Sequence, residues 1–158
     1  PVEGSPMKIV ALSLLLALAG PALADDPLLT VVGPDGTQTY DQAALQAFGP
    51  VSFATSTIWT EGQPTFTGVP LQTILTDAGI DEGTVSAVAI NDYAVQIPVD
   101  EVTADYPIVA FQQDGQAMSV RDKGPLWVIY PYDSDPALQS EVTYARSIWQ
   151  LVRIEAVR

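Results

Sequence analysis

The sequence predicts an α+β domain, a mixed β-sheet domain with a few short helices. Three observations carry that expectation. Short runs of β-branched and aromatic residues recur along the chain, many alternating in polarity and bounded by Gly, Pro, Asn or Asp. Two segments place apolar residues at helical spacing between recognisable start and stop signals. No internal repeat or low-complexity linker divides the chain, so strands interrupted by helices belong to one core.

The elements follow in order. Leu28 to Val32 reads as a strand, Gly33-Pro34-Asp35-Gly36 as a turn, and Thr37 to Tyr40 as the returning strand. Asp41 is placed to cap a short helix over Gln42 to Phe48, stopped by Gly49-Pro50. Val51 to Thr57 alternates and is rich in β-formers, so a strand is expected, followed by a loop from Ile58 to Pro64. Pro70 opens a second helix with Leu71, Ile74, Leu75 and Ala78 on one face and Gly79 as its stop. Thr84 to Ile90 and Tyr93 to Ile97 are strands joined by the turn pair Asn91-Asp92. One or two helical turns are expected over Val99 to Asp105. Ile108 to Gln112 and Gln116 to Val120 form a hairpin about Asp114-Gly115. Leu126 to Tyr130 is a further strand, Pro136 to Trp149 mixes loop with a short helix, and Gln150 to Val157 is a final strand.

The N-terminal part reads differently. Met7-Lys8, an apolar run from Ile9 to Ala19, and Ala22-Leu23-Ala24 match a secretory signal peptide over residues 7–24. The run is short for a membrane span. Residues 1–6 precede the start Met and read as a cloning remnant. Residues 25–158 then form a single exported domain, expected in the periplasm.

Composition narrows the chemistry. The formal net charge is −13, and the chain contains neither Cys nor His. That acidity argues against nucleic acid, whose phosphates need an extended cationic surface, and against direct binding to an anionic membrane once the signal is cleaved. Without Cys and His there is no thiolate nucleophile, no Ser-His-Asp triad and no ordinary zinc or copper site. No metal is expected.

Candidate ligand-binding residues come from three places. Between Lys8 and Arg121 there is no basic residue; then Arg121 and Lys123 flank Asp122, just before Gly124-Pro125. Arg offers a fixed fork of donors and Lys a point charge, which suits an anionic or polar planar ligand; the alternative is neutralisation of acids on a turn. Asp122 either pairs with Arg121 or accepts from the amino edge of a heterocycle. Asn91-Asp92-Tyr93 is either a plain turn or a turn whose Asp92 accepts from a ligand that Tyr93 packs against. Trp59 lies in a loop where nothing demands a core position, so it is a candidate stacking ring, whereas Trp127 and Trp149 suit packing. Asp133-Ser134-Asp135 resembles the start of a calcium loop, but Leu138 stands where such a loop needs Gly.

A family pattern runs through these residues. Phe66-Thr67-Gly68-Val69-Pro70-Leu71, Asn91-Asp92-Tyr93 with Ile97-Pro98, Asp114-Gly115, Met118, and Arg121-Asp122-Lys123-Gly124-Pro125-Leu126-Trp127-Val128-Ile129-Tyr130-Pro131 occur in that order. With Trp149-Gln150-Leu151 and Ile154-Glu155, they resemble the oxidoreductase molybdopterin-binding domain, the sulfite-oxidase-type fold. More narrowly the chain is similar to small exported proteins consisting of that domain alone. The resemblance spans residues 28–158, and its most specific part is the segment from Arg121 to Trp127.

The resemblance implies a molybdopterin-type pocket, and one departure limits it. Enzymes of the larger family hold molybdenum through a Cys on the loop after the strand that here ends at Thr55-Ser56-Thr57, and use His to help hold the cofactor phosphate. This chain has neither residue. Cysteine-free single-domain members are expected to bind a free pterin, reduced forms included, and to relay its presence to the periplasmic domain of a membrane-bound cyclic-di-GMP enzyme. On that reading Trp59 stacks the ring, and Asp92 or Asp122 takes its amino edge. Arg121 and Lys123 hold the carbonyl side or a polar tail; Asn91, Tyr93, Trp127 and Tyr130 complete the wall. Two alternatives stand beside it: a molybdopterin-dependent oxidoreductase or a subunit of one, and a structural or interaction domain whose pocket is filled by side chains.

Overall fold

The computed structural model describes residues 26–158. The signal peptide expected over residues 7–24 and the six residues before it lie outside the described residues.

Among the described residues, two sheets and three short α-helices make up the domain. Strand β1 (Leu29–Gly33) turns into β2 (Gly36–Tyr40), pairing Leu29 with Tyr40 and Gly33 with Gly36. Gly36 adopts a positive φ of 137° at that turn, a conformation that favours glycine. Asp41 caps α1 (Gln42–Ala47), its carboxylate accepting from the Ala44 N–H at 2.7 Å. Strands β3 (Val51–Ala54) and β4 (Thr65–Pro70) are antiparallel, and α2 (Leu71–Asp77) begins directly after Pro70 with Leu71, Ile74 and Leu75 buried. Next come β5 (Thr84–Ala89) and β6 (Ala94–Pro98), then β7 (Ile108–Gln113), β8 (Gln116–Ala117) and β9 (Trp127–Ile129). A Ser140-capped α3 (Glu141–Arg146) precedes β10 (Leu151–Ala156).

The first sheet has the order β2-β1-β10-β5-β6 and is mixed, because β1 and β10 run parallel while its other pairs are antiparallel. The second is antiparallel, β3-β4-β7-β8, with β9 on β7 beside β8. One buried cluster takes side chains from both, including Val31, Val85 and Ile154 from the first and Phe66, Val109 and Trp127 from the second. The α+β class with a mixed sheet and few helices is therefore observed.

The expected strands differ mainly at their ends. The strand expected over Val51 to Thr57 stops at Ala54. Thr55, Ser56 and Thr57 instead engage their hydroxyls in the loop, an alternative to ladder pairing that Ser and Thr offer the backbone. The second arm of the 108–120 hairpin stops at Ala117, because Val120–Asp122 forms a 3-10 turn. The helical turns expected over Val99 to Asp105 shrink to a 3-10 turn, Val99–Glu101.

Close backbone approach explains two glycines. A Cβ on Gly68 would stand 2.1 Å from the Val109 carbonyl oxygen, and one on Gly124 would stand 1.9 Å from that of Met118. Gly68 lets β4 lie against β7 at an irregularity in their register. Gly124 lets the 118–125 loop fold back on itself, with its N–H donating to the Ser119 carbonyl at 2.7 Å.

Candidate functional site: an aromatic pocket beside a polar one

The loops at residues 55–64, 90–93, 118–125 and 147–150 build two adjoining pockets. The first, about 290 Å³, is walled by Trp59, Tyr93, Tyr144 and Trp149, with Asn91 and the buried Ser147 as polar groups. Trp59 is its central ring. It makes edge contacts with Trp127, Tyr144 and Trp149 at centroid separations of 5.7–5.8 Å, geometry in which ring edges meet π faces favourably. Trp59 is half-buried, so it both packs and leaves surface to the pocket.

The second pocket, about 480 Å³, is polar. Gln113, Asp114, Gln116, Arg121, Asp122 and Lys123 surround it above Trp127. Lys123 stands between the two. Its ammonium lies 5.7 Å from the Trp127 ring centroid and 5.6 Å from that of Trp149, which is cation–π range. Its backbone is held at φ 70°, and its carbonyl accepts from the Gln150 N–H at 3.1 Å. Among the described residues the ion pairs are Arg146 with Glu101 and Arg153 with Glu155; neither Arg121 nor Lys123 is paired with a carboxylate. Asp122 accepts from the Ser119 hydroxyl at 2.9 Å rather than from Arg121.

The expected site residues are thus divided. Trp59, Asn91 and Tyr93 line the aromatic pocket, while Arg121, Asp122, Lys123 and Trp127 line the polar one. Asp92 sits at the tip of the β5–β6 turn with φ 65° and lines neither. Tyr130 is buried against Tyr106 and Tyr132, and burial raises its phenol well above the ordinary range. Trp127 is wholly buried beneath Lys123, its indole N–H donating to the Ser147 carbonyl at 3.1 Å. A cleft does lie beside Arg121, so the pocket is not filled by side chains.

Several lining residues were not expected from the sequence to belong to the site. Tyr144 lies on α3, in a stretch whose periodicity is weak, and Trp149 reads from composition as a packing residue. Asp114, Gln113 and Gln116 look like hairpin residues; only the fold of the 118–125 loop over them makes them pocket walls.

The hydroxyls of the 55–57 segment are engaged. Thr55 is buried, donating to the Ser56 carbonyl and accepting from the Asp133 N–H. The Asp133 carboxylate accepts from the Ser56 N–H at 2.7 Å, from the Ser56 hydroxyl, and from the Gln63 amide at 2.9 Å. Those bonds hold the Asp133 carboxyl below its ordinary value of 3.8. They also take the carboxylate that a calcium loop starting at Asp133 would use. Among the described residues no three Asp or Glu side chains gather in a way that would hold a metal ion.

Two mainly antiparallel layers, short helices and a loop-built pocket at their edge define a sulfite-oxidase-type molybdopterin-binding domain. The chain belongs to the oxidoreductase molybdopterin binding domain family, whose model matches residues 38–133. The crystal structure of the sulfane dehydrogenase SoxCD from Paracoccus pantotrophus shares the fold, with a TM-score of 0.61 at 17% identity. The match covers 80% of this chain and 37% of that one, so this chain spans little more than a third of its length. No curated protein matches the sequence.

Molybdopterin itself meets a mixed reception here. The polar pocket offers Arg, Lys, amide and carboxylate groups suited to a pterin and its substituents. The metal has no thiolate: the chain lacks Cys, and the hydroxyls of Thr55, Ser56 and Thr57 are already hydrogen-bonded. Neutral alcohols do not replace a soft anionic sulfur ligand. The residues fit the organic part and do not fit a thiolate-held metal.

Proposed function

We propose that the chain is a periplasmic pterin-binding module that acts as a grip rather than as a catalyst. Its occupancy is relayed to the periplasmic domain of a membrane-bound cyclic-di-GMP enzyme. One observation supports the binding reading above others: an aromatic pocket and a charged pocket meet at Lys123, which has no carboxylate partner. The flat ring enters the aromatic pocket and packs against the wall made by Trp59, Tyr93 and Trp149, with the Asn91 amide facing its polar edge. Its substituent passes Lys123 toward Arg121, and Asp122 and Asp114 accept from its donors. Burial of a ring face against Trp and Tyr supplies affinity, while a few placed polar groups supply orientation.

Mass spectrometry of small molecules released from the native periplasmic protein identifies the ligand, and fluorescence titration with reduced and oxidised pterins measures it. Trp59→Ala and Arg121→Ala each weaken binding by about tenfold or more. Absence of binding at micromolar pterin, or affinity unchanged in both variants, overturns the proposal. Family membership supports a second reading, a molybdopterin-dependent oxidoreductase or a subunit of one. Stoichiometric molybdenum or tungsten in protein purified from its own periplasm would establish it.

A further inference from the structure

We propose that Asp133 is a positioning residue for the site: its carboxylate sets where the loop carrying Trp59 stands. Between Thr55 and Pro64 the chain makes no ladder pairing, and its ends are joined by one backbone hydrogen bond, Thr55 N–H to the Pro64 carbonyl at 3.2 Å. Within the loop the Thr57 hydroxyl oxygen accepts from the N–H groups of Trp59 and Thr60, each at 3.0 Å. These bonds shape the loop but do not tie it to the rest of the fold.

Trp59 packs on its aromatic neighbours, and the hydrogen bonds that tie the loop to the fold come from Asp133. It sits in the 3-10 turn Tyr132–Ser134 that follows β9, more than 70 residues away in sequence from Ser56. Its two carboxylate oxygens take three donors from the loop, the Ser56 N–H, the Ser56 hydroxyl and the Gln63 amide, while its own N–H donates to the buried Thr55 hydroxyl. Ser56 and Gln63 lie on either side of Trp59, so the clasp holds both flanks of the ring's loop. The turn that carries Asp133 is itself anchored by Tyr132, which is buried and hydrogen-bonded to Ser147. Tyr132 also makes edge contact with Trp59 at 6.3 Å. One short turn therefore grips the loop from outside and meets its tryptophan from inside. Charged acceptors make the stronger class of hydrogen bond.

The test reads Trp59 directly. The near-ultraviolet circular dichroism of wild type and Trp59→Phe differs by the contribution of Trp59 against its aromatic neighbours. Asp133→Ala should lose most of that same contribution while keeping the far-ultraviolet spectrum and a cooperative thermal transition, and Asp133→Asn should restore part of it. The ligand arm rests on the pterin proposal. There Asp133→Ala weakens pterin binding about tenfold in the wild-type background and less than about twofold in Trp59→Phe, because the two changes remove one shared effect. If Asp133→Ala does not fold, Ser56→Ala and Gln63→Leu remove single donors and are read the same way. An unchanged near-ultraviolet spectrum, or equal losses of affinity in both backgrounds, overturns the role of Asp133. If wild type binds no pterin, the pterin reading fails and the spectral arm still decides the positioning role.

Discussion

The ammonium of Lys123 lies 5.6 Å from the ring centroid of Trp149, at the boundary between a polar pocket and an aromatic one. A cation in a strongly acidic chain is held there by two indoles instead of a carboxylate. Its backbone is in the left-handed region, which costs a non-glycine residue about 1–2 kcal/mol. Such strain persists where the surrounding structure over-determines it.

Replacing this residue separates stability from binding. Lys123→Gly relieves the backbone and loses the cation–π contact, two opposing effects of about 1–2 kcal/mol each. Thermal stability therefore stays close to wild type, while affinity falls for the pterin ligand proposed above. Lys123→Met keeps the strain and loses the charge, so it is the less stable of the two. Paired denaturation curves and titrations measure both outcomes.

Gly124→Ala acts on the same loop through the backbone. The added methyl would meet the Met118 carbonyl at 1.9 Å, so the 118–125 loop must open. Overpacking of this kind costs about 3 kcal/mol. Loss of the polar pocket accompanies the fall in stability, seen as weakened ligand binding in the fraction that remains folded.

Acid stability carries the signature of Asp133. Its folded carboxyl titrates below the ordinary 3.8, because it accepts the Ser56 hydroxyl and N–H bonds and the Gln63 bond. The sign follows from linkage: its contribution is fully present above the unfolded value and is lost as pH falls through the folded one. Asp133→Asn removes that titration. Denaturation midpoints of wild type and variant should converge as the pH is lowered below 3.8.

Alkaline stability is set by tyrosines. Burial pushes Tyr132 up from 10.0 to about 12, and burial also raises Tyr130; Tyr40 is raised by burial and by its hydrogen bond to Asp77 at 2.6 Å. Above pH 10.0 the unfolded chain releases phenol protons that the folded chain keeps, so stability falls as pH rises from there. Phenolate absorbance of these three residues should appear together with unfolding, and Tyr40→Phe should flatten the alkaline limb.

Much of this architecture was legible beforehand because its signals are local. Alternating β-branched runs, Asp41 as a cap and Pro70 before Leu71, Ile74 and Leu75 report on neighbours within one or two turns. Strand ends were less so. Thr55 suits a strand by propensity, but the turn at Asp133 takes the Ser56 N–H and hydroxyl and donates its own N–H to the Thr55 hydroxyl.

The chain's own letters determine the fold class, the family, and the lack of any thiolate or imidazole; these follow from pattern and composition. Tertiary structure alone decided how the candidate residues are grouped. Trp59 and Tyr93 share one pocket, Arg121 and Asp122 another, Tyr130 is in the core, and Asp133 is the clasp. Each grouping depends on contacts between segments tens of residues apart, and sequence spacing within a single element carries no information about them.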